Sequence, residues 1–335
     1  MGTTGFLRPR AQCSRRPILK SRVKVLLVSL AGLLGILGAW WYSGPFLLLR
    51  LLPEPSFDTV VIEGAEASGR TIDLQGQWFN EGKLSELIIR SSRQQGGWSR
   101  PQNITIRNGK LRGSIRIMGL GRNGEAEGVR ASSLQKGHTE RAQSAAPTNI
   151  KIENMLIEAD CRIPLYIAPG VTDVTVRNCT FTGRSVSTVV YLCAESAGNT
   201  IEGNTFATKA GREVIAVDGS ARNKILGNSF EQLPFGGIYL YRNCGEGGTV
   251  RHQTPRENVI KGNTFHSGPR WGSYGIWLGS RGGWSPYCGQ DSGHPFGSSA
   301  DNGDFADDNT VIGNIFSDQA VRTIRNNGQR NRIAP

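Results

Sequence analysis

The sequence predicts an all-β fold, a right-handed parallel β-helix (solenoid) preceded by one N-terminal transmembrane helix. Two observations predict it. An eight-residue pattern with apolar, Gly or Asn, and Phe positions recurs along the last 230 or so residues, and one long uncharged apolar run follows a basic head.

The repeat carries the fold. It reads Asn199-Thr-Ile-Glu-Gly-Asn-Thr-Phe206, Asn223-Lys-Ile-Leu-Gly-Asn-Ser-Phe230, Asn258-Val-Ile-Lys-Gly-Asn-Thr-Phe265 and Asn309-Thr-Val-Ile-Gly-Asn-Ile-Phe316. Looser copies precede it at Val174 to Phe181, Ile150 to Ile157 and Ile104 to Leu111, and a partial copy, Asn331 to Ile333, follows. Aligned on the last position, the copies are 46, 24, 25, 24, 35 and 51 residues apart. The tight gaps match one solenoid coil, and the wide ones are a coil plus an inserted loop.

Each column has a physical role. Asn199, Asn223, Asn258 and Asn309 replace Ile or Val of the earlier copies, so they face inward and bond to one another from coil to coil. Gly203, Gly227, Gly262 and Gly313 share a column with Asn108, Asn154 and Asn178, the residue types that tolerate a left-handed backbone, and mark a turn. The Phe column forms an internal aromatic stack. No 3.6-residue periodicity supports a helical repeat.

The net charge of +12 is concentrated in the head: Arg8, Arg10, Arg15, Arg16, Lys20, Arg22 and Lys24 leave +5 for the rest. That distribution signals membrane topology and argues against nucleic-acid binding. Residues Val25 to Tyr42 are 18 long and uncharged, and end in Trp40, Trp41 and Tyr42. About 20 apolar residues span a bilayer as a helix, and amphipathic rings favour its interface. No small-x-small site follows, so the segment reads as an uncleaved signal anchor, with a cleaved signal peptide as the alternative. The organisation is a basic cytoplasmic head (1–24), a signal anchor (25–42), a linker (43–54) and the β-helix domain (55–335). The expected location is a single-pass bacterial inner-membrane protein, with the β-helix in the periplasm.

The Asn ladder, Phe stack and 24-residue coils resemble the pectate-lyase-like right-handed parallel β-helix superfamily over about residues 55 to 335. That resemblance implies the fold, and polysaccharide lyases, hydrolases, uronate epimerases and non-catalytic solenoids as functional classes. The segments Gly137 to Gln143 and Tyr239 to Gly248 are similar to a bacterial group of membrane-anchored β-helix repeat proteins, which implies no activity. Departures narrow the field. There is no Asp-Pro-His motif like that of alginate epimerases and no evident calcium-binding Asp cluster like that of pectate lyases. The pair Asp307-Asp308 resembles polygalacturonases but precedes an Asn-ladder position, on a turn.

After each Phe a second strand alternates, with its second and fourth positions inward. Its third positions align Arg116, Tyr166, Tyr191, Ala216, Tyr239 and Trp277 on one outer face, beside Met118, Ala168, Cys193, Asp218, Tyr241 and Gly279. Glu195, Arg242 and Arg281 lie just past the strand. The longest inserts, about 119–148, 242–257 and 279–308, follow this strand and are expected to wall a groove there. Arg116, Tyr166, Tyr191, Glu195, Tyr239 and Trp277 are the expected substrate-binding residues, rings for sugar faces and Arg for uronate carboxylates. Asp218 as base or metal ligand, Arg242 or Arg281 as carboxylate neutraliser and Tyr241 as proton donor are the catalytic candidates. His138, Glu246 and His252 are loop candidates. Cys244 and Cys288 begin inserts after neighbouring coils, where a disulfide would pin the two loops. The expected partner is an anionic polysaccharide, acted on by lyase or C5-epimerase chemistry, with a non-catalytic glycan- or protein-binding scaffold as the alternative. Calcium is the one cofactor candidate, and the metal ligands and oligomeric state stay unassigned.

Overall fold

Three short strands, separated by turns that only particular residues accept, make up each coil. In a central coil they are Thr200–Glu202, Thr205–Phe206 and Ile215–Asp218. Each pairs in parallel with its counterpart one coil on: Lys224–Leu226, Ser229–Phe230 and Ile238–Tyr241. The computed structural model describes residues 58–121, 127–266, 273–285, 287–288, 293–317 and 323–335. Within them every strand pairing is parallel except the hairpin Ser92–Gln94 with Gly97–Ser99. The β-helix occupies the compact unit Phe57–Pro335. The expected anchor at 25–42 lies outside the described residues, among which no helix is long and apolar enough to cross a membrane.

The turn column is left-handed throughout, with φ near +60° at Gly203, Gly227, Gly262 and Gly313 and slightly below it at Asn108, Asn154 and Asn178. A Cβ at Gly227 would meet nothing within 4 Å, so the constraint there is the backbone angle alone. A second left-handed column stands immediately before the Asn ladder, at Asn149, Asp173, Gly198, Arg222, Glu257, Asp308 and Arg330. Asp308 is thereby confined to a turn, and both it and Asp307 pair with Arg330.

The interior polar ladder forms as the residue columns predict. Asn199 Nδ2 donates to Asn223 Oδ1 at 2.9 Å, Asn223 to Asn258 at 2.8 Å and Asn258 to Asn309 at 3.0 Å. Each Oδ1 also accepts the backbone N–H of the preceding Asn, so burial strands neither group. A second ladder runs beside it through Asn204, Asn228, Asn263 and Asn314, at 2.9–3.0 Å. Its pattern of invariant Asn after Gly is visible in the sequence. Cys179 ends this ladder, its N–H donating to Asn204 Oδ1. Between the ladders and the outer strands, the Phe181, Phe206, Phe230, Phe265 and Phe316 rings stack with centroids 4.6–5.1 Å apart.

Candidate functional site

The face expected to hold a groove is in register as predicted. Arg116 pairs with Tyr166, Tyr166 with Tyr191, Tyr191 with Ala216, Ala216 with Tyr239 and Tyr239 with Trp277. Its exposure is not as expected. Tyr166, Tyr191 and Tyr239 are 7–9% exposed and Tyr241 only 1%, because the inserts fold back over the strands instead of standing beside them. Helices α1 (Glu127–Ser133) and α2 (His138–Ala145) and the segments 242–253, 281–285 and 293–305 provide this cover. Trp277 alone of the ladder tyrosines and tryptophan stays half-buried.

Under the cover, the carboxylates hold loops. Asp218 is fully buried and accepts from the Tyr191 hydroxyl at 2.6 Å, the Asn243 N–H at 2.8 Å and Asn243 Nδ2 at 3.1 Å. Arg251, also buried, lies 3.7 Å from Asp218 and 3.0 Å from Glu246. Burial and the Asp218 charge push the Tyr191 phenol well above its ordinary value, so it stays a donor. Glu195 is likewise buried, at a left-handed φ of +62°. It accepts the N–H groups of His252 and Gln253 at 2.8 and 3.0 Å and the hydroxyl of Thr139, so it ties α2 to the 252–253 segment. These are corrections to an open ladder: Asp218 and Glu195 bond to the loops above them, Tyr191 bonds to Asp218, and Tyr166 is buried with its hydroxyl 3.6 Å from Cys193 of the next coil. Arg242 is also turned under a loop, its guanidinium over the Phe305 ring at 5.2 Å and donating to the Asp301 carbonyl. Arg116 binds Glu86 at 3.2 Å and lies over Tyr166 at 5.2 Å.

His138 and His252 meet edge to face, with centroids 5.3 Å apart, and bond to Ser132 and to the Ser133 carbonyl of α1. Burial, then the nearby His252, Arg251 and Arg141 charges, lower His138 to about 3. In an unfolded chain the imidazole titrates near 6.5. Its contribution is therefore intact above 6.5 and is lost as pH falls from there toward 3, at about 1.4 kcal/mol per pH unit. Urea unfolding at pH 7 and pH 4.5 is expected to show this acid loss, and His138→Gln to flatten it. Equal pH slopes in the two proteins would contradict the assignment.

Cys244 and Cys288 are joined by a disulfide with Cα atoms 4.6 Å apart, which links the two covering segments. Cys179 and Cys193 are buried thiols, each raised by burial to about 12.

Toward the C-terminal end the cover thins, and a second constellation reaches the surface. The Glu213 carboxylate accepts from the Tyr241 hydroxyl at 3.0 Å and from Arg212 at 2.7 Å, and Arg212 also donates to the Tyr241 oxygen at 2.8 Å. Burial, then the Glu213 charge, holds the Tyr241 phenol above its ordinary value. Arg281 lies over the Tyr241 ring at 4.5 Å, and Arg325 over Trp277 at 4.6 Å and Tyr274 at 5.5 Å. Arg212, Glu213, Tyr274 and Arg325 were not singled out by the sequence. Glu213 stands just before the strand that alternation identifies and has no equivalent in other coils, so no column marks it.

Among the described residues no group of three or more His, Cys, Asp or Glu side chains is arranged to hold a metal. Asp218 has Arg251 and Glu195 has backbone N–H groups where calcium would need further oxygens, so no step is assigned to that ion. Hollows of about 550 and 460 Å³ lie at the two turn columns, and neither is lined by Arg212, Arg281 or Arg325.

A solved structure, the A-module of the Azotobacter vinelandii mannuronan C-5 epimerase AlgE6, is similar over 84% of this chain and 89% of that one, with 13% identity and a TM-score of 0.25. At that level it carries no argument about activity. No curated relative matches the sequence. The model of the right-handed β-helix region matches residues 80–287, most of the coils described above. With its parallel coils, Asn ladders and Phe stack, the chain belongs to the right-handed β-helix family.

Proposed function

We propose that this protein binds an anionic, uronate-containing polysaccharide on the C-terminal part of the face. One observation carries the reading: the Arg281 guanidinium lies over the Tyr241 ring at 4.5 Å and that of Arg325 over Trp277 at 4.6 Å, with Tyr241 and Trp277 on neighbouring coils. A guanidinium held on a ring keeps its N–H edge in the plane, the geometry that grips a carboxylate. The two strands lie about 4.8 Å apart, and Tyr241 stands two positions beyond the residue that pairs with Trp277, so the arginines offer carboxylate contacts at two separate points along one face. Arg212, whose side chain is 36% exposed, adds a third cation. In this reading residues 25–42 anchor the domain outside the cytoplasm at the inner membrane. The cationic head and the disulfide support that placement. Arg281→Ala and Arg325→Ala are each expected to weaken polyuronate binding about tenfold by calorimetry, some 1.4 kcal/mol. Wild-type affinity in both would remove the arginines from the site.

A second reading, catalysis, is favoured by the Glu213–Tyr241 pair. Glu213 is placed to take the proton beside a substrate carboxylate, and the protonated Tyr241 to give one to the departing oxygen. Acid and base on one side suit β-elimination; a C5-epimerase must return the proton from the other face. Tyr241 is 1% exposed, so contact requires a substrate carboxylate to draw Arg281 off the ring. Unsaturated-uronate absorbance that Glu213→Gln abolishes would establish a lyase. C5-proton exchange without absorbance would establish an epimerase, and neither signal, with binding intact, a non-catalytic binder.

A further inference from the structure

We propose that Trp284 is a sugar-stacking platform, a subsite for the residue next to the one whose carboxylate Arg281 holds. The inference rests on the polysaccharide-binding reading and extends it to a side chain that reading does not use. Trp284 is 77% exposed, against 37–59% for the other exposed large apolar side chains described. A single exposed apolar residue on a mobile loop would need no explanation. This one stands on a turn whose backbone the protein has fixed.

The fixing groups are specific. The Trp284 N–H donates to the Arg281 carbonyl at 3.1 Å, closing the turn. The N–H groups of Arg281 and Gly282 both donate to Asp304 Oδ2 at 2.7 Å, and the Gly283 N–H reaches Oδ1 at 3.5 Å. Asp304 is 4% exposed, and its carboxylate fills the concavity these amides form. Gly282 and Gly283 take left-handed φ values of +61° and +77°, and a Cβ on Gly283 would sit 3.0 Å from the Asn302 carbonyl oxygen. Four residues beyond Trp284, the Cys244–Cys288 disulfide anchors the same segment.

Such a turn lowers the entropic cost of capture, since a loop that is already ordered loses little freedom on binding. Indole has few rotamers and presents a broad apolar face that suits the C–H face of a pyranose. Arg281 and Trp284 open and close the same turn, so a carboxylate clamp and a ring platform are offered together. The turn itself favours a sugar over a lipid surface, because it is polar: it begins at Arg281, binds the Asp304 carboxylate through its N–H groups and packs Gly283 against the Asn302 carbonyl.

The test measures binding of uronate dimers and octamers to the full-length protein by calorimetry, for wild type, Trp284→Ala, Trp284→Phe and the double variant Cys244→Ser/Cys288→Ser. Trp284→Ala is expected to weaken both dimer and octamer binding about tenfold while leaving the melting temperature unchanged. Trp284→Phe should retain most of the affinity, and the disulfide-free variant should lose octamer affinity. Wild-type octamer affinity in Trp284→Ala would overturn the platform and leave the arginine site standing. Failure of the wild type to bind either oligomer would overturn both. Trp284-dependent binding to anionic phospholipid vesicles with no effect on octamers would assign the indole to a membrane surface instead.

Discussion

Phe230→Ala is expected to destabilise the solenoid by about 3–5 kcal/mol, the usual range for a buried phenylalanine. The ring is fully buried between Phe206 at 5.0 Å and Phe265 at 4.6 Å, so truncation removes two stacking partners and opens a cavity in mid-column. Strands on both sides are held in register by the Asn228 ladder one step away, and this limits how far the gap can close. Phe316→Ala is the control. It ends the stack, is half-buried and has one described ring neighbour, Phe265, at 4.8 Å, so it should cost clearly less. Denaturant unfolding followed by circular dichroism measures both. Because a solenoid's stability is nearly a sum over neighbouring repeats, the loss at Phe230 should also separate the two halves of the unfolding transition. Equal small losses at the two positions would mean that the aromatic column does not hold the coils together.

Asp218→Ala is expected to cost about 3–5 kcal/mol, the penalty for breaking a buried charge pair by removing one partner. Arg251 is 2% exposed and would keep only Glu246 as a described carboxylate partner. Tyr191 and Asn243 would lose their acceptor at the same time. The damage should be local first. Hydrogen exchange is expected to rise in the 242–253 segment before the coils beneath it respond. A catalytic Asp218 would behave differently, with Asp218→Asn losing turnover while the fold kept its stability. Wild-type stability in Asp218→Ala would contradict the loop-holding role assigned here.

The two substitutions mark where the sequence was readable and where it was not. The Phe, Gly/Asn and Asn columns repeat because each coil poses the same local problem: a ring to stack, a left-handed turn to accept, an amide to satisfy. Repetition exposes such answers without any coordinates. The second ladder, Asn204 to Asn314, was not singled out, although an Asn stands after each turn glycine. Alternation also placed Tyr166, Tyr191, Tyr239 and Trp277 correctly on one outer row. What alternation cannot state is whether something lies over that row. The inserts have no period, so the return of α2 onto Glu195 and of Asn243 onto Asp218 left no trace in the sequence. Glu213 and Arg212 were missed for the same reason, as single occurrences in one coil. Arg281 was found because it follows a strand, and its turn with Trp284 depends on Asp304, 23 residues away.

The central claim is that arginines set on aromatic rings hold carboxylates of a polysaccharide. The most direct measurement compares the affinity of the full-length protein for a polyuronate with that for the same polymer after its carboxyl groups are reduced to alcohols, at low and at physiological salt. The account predicts measurable binding of the polyuronate, weakened by salt, and a loss of about tenfold or more on reduction. Equal affinity for the two polymers, or no binding of either, would contradict it.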